Sequence, residues 1–132
     1  MKSIVRVVEN DSLRVTAGGY RLGLRLMWYR SLPLSCIENI RLSLDGQPVD
    51  PGLLRLEVNG HSYRLEQLAD RVEEFWYILD TAFLDVNQPG AVARGETHRI
   101  EAEVTVHYPY IPIGPGMFLT STNRYSDTQL AG

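Results

Sequence analysis

Apolar and polar residues alternate along most of this chain, and that alternation limits the folds open to it more than any other feature. The clearest segment surrounds the Asn-Gly pair at residues 59–60, a dipeptide that favours a two-residue turn between antiparallel strands. Alternate positions on both sides of it are apolar except for His61, which places these side chains on one face of a sheet. The Asp-Gly pair at residues 45–46 predicts a second hairpin, with Val49 opposite Leu42.

Other segments extend this pattern. The Gly-Gly pair at residues 18–19 predicts a primed turn that sets Val15 opposite Leu22. Residues 65–72 have apolar positions at helical spacing and predict one short helix. Residues 73–80 are apolar at neighbouring positions, which predicts a strand covered on both faces.

The C-terminal third combines a long strand with irregular segments. Every second residue from Ile100 to Val106 is apolar, which predicts one core face and one wet face. Residues 108–116 carry three prolines and are expected to leave the sheet as a stiff connection. We therefore predict an all-β fold, a two-sheet antiparallel sandwich with one short helix, and a partly closed barrel as the alternative. Residues 1–120 form its single domain, and residues 121–132 form a polar tail that is disordered or docked on a partner.

Composition excludes several classes of function. The 132 residues carry a net charge of −3, and the basic residues are spread singly, which argues against a nucleic-acid-binding protein. No apolar run approaches the roughly 20 residues that span a bilayer, so no membrane association is expected. The N-terminus lacks the apolar core of a signal peptide, and Cys36 is the single cysteine, so we expect a cytoplasmic protein with a buried thiol.

A loop at residues 28–35 stands apart from the alternation. It combines aromatic, cationic and apolar side chains around a proline, which fixes its own φ and keeps the preceding residue extended. Stiff loops of this composition serve as anchors in protein interfaces. The predicted interface residues in this loop are Trp28, Tyr29, Arg30, Ser31, Leu32, Pro33 and Leu34. The alternative is that Trp28 and the leucines fill the end of the chain's own core.

Aromatic residues at other strand ends exceed what one small core needs. Tyr108 and Tyr110 flank a proline and are added to the predicted partner interface. A carbohydrate-binding module, with Trp76, Tyr108 or Tyr110 as the stacking platform, is the alternative explanation.

The sequence predicts no catalytic residue and no metal ligand. His61, His98 and His107 do not have the spacing of a zinc or metalloprotease motif. Adjacent carboxylates at Glu73 and Glu74 are expected on opposite faces of a strand, where they cannot share a substrate. A stand-alone enzyme would have to use His107 or Asp80 as its base, which the surrounding sequence does not favour.

Four segments carry a resemblance to a known family. They read DSLRV at residues 11–15, WYRSLPLSC at 28–36, NGHSY at 59–63 and WYILD at 76–80. Together they resemble the small β-subunit of bacterial C-glycoside deglycosidases, over most of the chain to about residue 112. The segment at residues 28–35 is the most specific part.

The resemblance implies a cytoplasmic hetero-oligomer. In that family a larger TIM-barrel subunit holds a divalent metal, usually manganese, and carries the acid-base residues. The complex cleaves the carbon-carbon bond of a 3-oxo-C-glycoside, for example of a flavonoid, as a lyase-type enzyme of carbohydrate metabolism. The resemblance implies that the present chain docks on and supports that subunit, with no catalytic activity or cofactor of its own. An accessory subunit of another sugar-catabolic enzyme is the alternative.

Overall fold

The computed structural model describes residues 6–27 and 30–132. Within them the backbone forms eleven strands, and every pair is antiparallel. In chain order these strands are β1 (Arg14–Thr16), β2 (Gly19–Leu24), β3 (Leu32–Pro33), β4 (Ile37–Leu44), β5 (Gln47–Pro48), β6 (Leu54–Val58), β7 (His61–Arg64), β8 (Phe75–Trp76), β9 (Ala82–Val86), β10 (Thr97–Gly114) and β11 (Met117–Leu130).

The strands form two main sheets and a small ribbon. One sheet has five strands in the order β1-β2-β9-β6-β7, and the other has four in the order β11-β10-β4-β5. The ribbon pairs β3 with β8. Alternate residues of the two main sheets form one continuous apolar core, in which Leu22, Leu56, Leu84 and Ile100 are fully buried. The predicted antiparallel sandwich is confirmed, and in the described residues the sheets do not close into a barrel.

Helical structure is limited to short turns. A 3₁₀ helix at Leu65–Asp70 confirms the one predicted short helix, and two further 3₁₀ turns lie at Leu34–Cys36 and Pro51–Leu53. None of the helices in the described part of the chain has the length and apolar character to cross a bilayer.

The turn chemistry sets the register of two hairpins as predicted. The Val49 amide bonds the Leu42 carbonyl at 2.9 Å, and β6 pairs with β7 across the turn at residues 59–60. The first hairpin differs from the prediction, because Val15 pairs with Tyr20 rather than Leu22 and the turn lies at residues 17–18. Gly19 belongs instead to β2, where a Cβ would collide with the Val86 carbonyl oxygen.

The prediction for residues 73–80 is wrong. Only Phe75–Trp76 is a strand, and the covered face is limited to Trp76, which is 1% exposed. Tyr77 and Leu79 project outward in a turn closed by the bond from the Asp80 amide to the Tyr77 carbonyl. A run of apolar residues is therefore divided here between core and surface.

The C-terminal segment also differs from the prediction. Residues 108–114 remain in β10, paired with β11, and residues 121–130 lie in β11 instead of forming a tail. From residue 121 onward the odd-numbered residues of β11 face inward, and Tyr125 and Gln129 are buried. Too many of these inward positions are polar for the sequence pattern to predict a strand.

Hydrogen bonds of the Gln129 side chain fix the polar strand β11 in place. Its Oε1 accepts the backbone N–H groups of Ser12 and Leu13, each at 3.0 Å, and its Nε2 donates to the Glu9 carbonyl and the Tyr125 hydroxyl. The amide thus uses two acceptor and two donor positions. Gln129 thereby fixes the N-terminal segment against the last strand.

Candidate partner interface

The loop predicted as an anchor contributes both core and surface. Leu32 pairs with Trp76 in the β3-β8 ribbon, and the Leu34 amide bonds the Glu74 carbonyl at 2.8 Å. Leu32 is 1% exposed and Leu34 is fully buried, so their side chains belong to the chain's own core and leave nothing for a partner to contact. Pro33 is partly buried. Trp28 and Tyr29 lie outside the described residues.

Ser31 joins this loop to the turn that follows β8. Its hydroxyl accepts the backbone N–H of Ile78 at 2.9 Å, and the indole N–H of Trp76 donates to the Asp80 carbonyl. These bonds fix the turn so that Tyr77 and Leu79 point outward, with exposed fractions of 51% and 80%.

Arg30 joins the loop to a third segment, 80 residues away in sequence. Its exposed guanidinium lies 4.3 Å from the centre of the Tyr110 ring, a distance at which a cation stacks on an aromatic face. Tyr108 is different, since it is 1% exposed and packs in the core. Of Tyr108 and Tyr110, the structure therefore places only Tyr110 at the surface.

Tyr110 lies on a projecting part of the β10-β11 hairpin. Pairing between β4 and β10 ends at Ile37 and Val106, so in the described residues the hairpin continues as two strands alone. We call residues 108–120 the arm. Between the pairs His107–Thr120 and Pro112–Phe118 the strand β10 bulges, where prolines cannot donate to a ladder.

The arm is apolar and exposed. Its solvent-exposed apolar residues are Tyr110, Ile113, Met117, Phe118 and Leu119. We call these five residues, with Tyr77 and Leu79, the apolar surface. Isolated two-stranded hairpins are at best marginally stable in water, and soluble monomers rarely expose large contiguous apolar patches. The arrangement is suited to burial against another protein.

A polar network lies beside the ribbon. Glu74 accepts hydrogen bonds from the Tyr63 hydroxyl, from His61 Nδ1 at 3.0 Å and from Asn59 Nδ2 at 3.3 Å. Partial burial opposes ionisation of Glu74, but these bonds outweigh it and lower the pKa of the carboxyl. The bond to Glu74 raises the pKa of Tyr63, and Arg71 lies over the Tyr63 ring at 5.0 Å. The network ties the β6-β7 hairpin to the ribbon, a role that the sequence does not suggest for Glu74.

The other candidate chemical groups are held in structural contacts. His98 lies between Asp45 and Glu96, at 2.6 and 3.0 Å, while His107 pairs with Glu38 at 3.0 Å and stacks on Phe118. Among the described residues, no three histidine, cysteine or acidic side chains gather as a metal site would require.

Two further candidates are a thiol and an aromatic platform. Burial raises the pKa of the Cys36 thiol, which is the opposite of what a nucleophilic cysteine needs. Burial of Trp76 and Tyr108 leaves Tyr110 as the exposed member of the three predicted stacking residues, and Arg30 lies over its ring. Two of the three residues predicted as a carbohydrate platform are therefore unavailable to a ligand.

Fold and surface together define a small all-β protein with a projecting, exposed apolar arm. The family model for the C-glycoside deglycosidase beta subunit matches residues 2–110. The chain belongs to this family. The match ends inside β10, so most of the arm lies beyond it.

Named relatives agree with the family model. The chain is 36% identical over 120 residues to the 3'-dehydrocarminate deglycosidase beta subunit of a Microbacterium species, covering 90% of this chain and 89% of the relative. It is 32% identical over 108 residues to the C-glycoside deglycosidase beta subunit of Microbacterium trichothecenolyticum, covering 82% and 81%. A beta subunit of Arthrobacter globiformis is 32% identical over 106 residues, covering 80% of each chain.

Proposed function

We propose that this chain is the non-catalytic β-subunit of a heteromeric, metal-dependent C-glycoside deglycosidase. Its role is to dock on and support a larger TIM-barrel subunit, which cleaves the carbon-carbon bond of a 3-oxo-C-glycoside in the cytoplasm. Membership of the beta-subunit family supports the assignment to this enzyme class.

The exposed arm is the observation that carries the docking role. Fully burying one exposed large apolar side chain contributes roughly 1.5–3 kcal/mol. The seven residues of the apolar surface are 36–80% exposed, so covering them gives a gross gain of roughly 5–11 kcal/mol. Association costs about 4–15 kcal/mol in lost translational and rotational freedom. Covering this surface therefore offsets much of that cost, and polar contacts across the interface supply the remainder.

The described side chains support this division of chemistry between the subunits. Their histidines and their buried thiol are held in structural contacts, and no ligand set for a metal gathers among them. We therefore assign the divalent metal, manganese by analogy with the family, and the acid-base groups to the larger subunit.

Co-expression with the larger subunit of the same organism tests this proposal. We expect one co-eluting species in size-exclusion chromatography at micromolar concentration. We also expect cleavage of a 3-oxo-C-glycoside by the complex and no turnover by this chain alone. Two separate peaks, or turnover by the isolated chain, would contradict the assignment.

A further inference from the structure

The outer face of the five-stranded sheet carries a row of arginines. The strand register places Arg14 opposite Arg21 and Arg21 opposite Asp85. It also places Asp85 opposite Arg55, and Arg55 opposite Arg64. Residues that are directly opposite share a face, so one line across all five strands holds four guanidinium groups and one carboxylate. We call these five residues the arginine row. The chain has 12 arginines and a net charge of −3, so this concentration does not follow from composition.

Counter-ions within the chain are unevenly distributed along the row. Arg21 forms ion pairs with both Asp85 and Glu57, each at 2.7 Å, and its guanidinium stacks on the Phe83 ring. Arg64 pairs with Glu66 at 3.1 Å, with both side chains more than half exposed. Arg14 and Arg55 are exposed and have no ion pair in the described part of the chain.

Two contacts in the row are between like charges. The pairs Arg14–Arg21 and Arg55–Arg64 are directly opposite, an arrangement that destabilises a sheet. No core packing requires it, because these side chains lie on the solvent face. Carboxylates supplied from outside would remove the repulsion and would fit the bidentate geometry of guanidinium groups.

The dimensions of the row indicate the kind of ligand. Four inter-strand steps of about 4.8 Å give a line of about 19 Å, which is longer than a small anion. The face is an open sheet and carries Asp85 and Glu57 among the arginines, which disfavours a polyphosphate backbone. A protein surface with spaced carboxylates fits both features.

Arg25 links the face that carries the row to the apolar surface. Arg25, four residues after Arg21 on the same face, donates to the Leu79 carbonyl at 3.0 Å and lies 3.6 Å from Glu9. Leu79 is the most exposed residue of the apolar surface. An apolar centre flanked by a charged margin is the usual anatomy of a protein interface.

We propose that the arginine row is the electrostatic flank of the docking surface and receives a line of carboxylates on the larger subunit. This inference rests on the proposed function. Exposed charges at the margin of an interface act mainly on the association rate and on its salt dependence. The row therefore speeds encounter, and the apolar surface holds the complex.

Stopped-flow association of the full chain with the larger subunit tests the inference. Arg64→Glu removes the repulsion with Arg55 but also the exposed ion pair with Glu66, and because these two small effects oppose each other the unfolding midpoint is expected to change little. Association at low salt is expected to slow about tenfold, and this difference should vanish between about 0.05 M and about 0.5 M salt. Arg55→Gln should give a smaller reduction in the same direction.

Arg41→Glu is the matched control. Arg41 is an exposed mid-strand arginine on β4, in the other sheet. If Arg41→Glu slows association as much as Arg64→Glu, or if neither row variant slows it, the inference is wrong while docking itself stands. If the wild-type chain fails to associate at any salt concentration, the proposed function fails and the inference fails with it.

Discussion

The two halves of the β10-β11 hairpin differ in how sequence relates to burial. In the half nearer the chain's core, Ile100, Ala102, Val104 and Val106 are buried while the residues between them are more exposed. In the arm, Tyr108 is buried and Ile111 is partly buried, but the other apolar residues are exposed on both strands, namely Tyr110, Ile113, Met117, Phe118 and Leu119. The first half packs on the opposite sheet, and the arm extends past the last residue pair between β4 and β10.

The difference shows that the two halves of one hairpin can meet different physical requirements. Alternation is the pattern required by a strand with one core face and one wet face. Apolar residues without alternation, on a ribbon that projects from the fold, meet no requirement of the isolated chain. The arm is therefore best explained by a requirement of an assembly.

The largest expected effect is in the core half. Ile100→Ala removes a fully buried side chain between the sheets and should lower the free energy of unfolding by about 2–5 kcal/mol. Urea denaturation of the isolated chain measures this. A loss below about 1 kcal/mol would mean that this half is no better packed than the arm.

The next largest effect on stability is expected at Gln129, near the C-terminal end of β11. Gln129→Ala leaves the buried Leu13 N–H and the Ser12 N–H without their acceptor and should cost about 1–3 kcal/mol. Thermal unfolding measures the loss, and faster exchange of the Leu13 amide should accompany it. Thr128→Ala, at the exposed neighbouring position, is the control and should have little effect. Equal stability of the two variants would show that the amide contacts do not hold the strand.

Substitution in the arm should have the opposite effects to Ile100→Ala, with little loss of stability and a weaker assembly. Ile113 is the same residue type on the same strand but is 59% exposed, so Ile113→Ala should change unfolding by less than about 0.5 kcal/mol. It should weaken assembly with the larger subunit by about 1 kcal/mol or more, measured by titration calorimetry. If Ile113→Ala lowers the stability of the chain without weakening assembly, the arm serves the fold and not the interface.

The smallest expected effect is a pH dependence at the base of β10. Burial opposes the charge of His98, but hydrogen bonds to Asp45 and Glu96 prevail, so the pKa of His98 is raised above 6.5. The His98 contact lowers the pKa of Asp45 from 3.8, and the Ala93 amide and His98 lower that of Glu96 from 4.5.

The sign of the pH effect follows from these directions. The stabilisation that His98 gives the folded state is complete below pH 6.5 and is lost as pH rises through its folded pKa. The stabilisation from the carboxyl groups is present above pH 4.5 and is lost in acid. Melting curves should therefore show a stability gain over His98→Gln that is largest between these values. A constant difference from pH 4 to pH 9 would show that the contacts of His98 are not ionic.

The sequence predicts features that depend on neighbours in the chain. The turn at residues 59–60 and the pairing of Arg55 with Arg64 follow from local turn chemistry and the period of two. The role of Gln129 depends on Ser12, 117 positions away, and no local pattern encodes that contact. Residues 121–130 of β11 are not predicted as a strand for the same reason, because apart from Tyr125 their inward side chains are polar, and Asp127 and Gln129 bond to the distant N-terminal segment.

The candidate site was only partly predictable. Proline and aromatic content marked the loop at residues 28–35 and Tyr110, and the structure brings Arg30 of that loop onto Tyr110. Composition does not distinguish an inward from an outward side chain, so it assigned Leu32, Leu34 and Tyr108 to the surface although they lie in the core. Leu79 and the apolar residues at the tip of the arm are the most exposed, and only the fold shows this.

Amide hydrogen exchange of this chain, alone and in complex with the larger subunit, tests the central claim most directly. We expect new protection in the complex at residues 77–80 and 108–120, and unchanged exchange on β4 and β5. If the arm exchanges equally fast in both states while β4 and β5 become protected, the apolar surface is not where the partner binds, and the account is wrong.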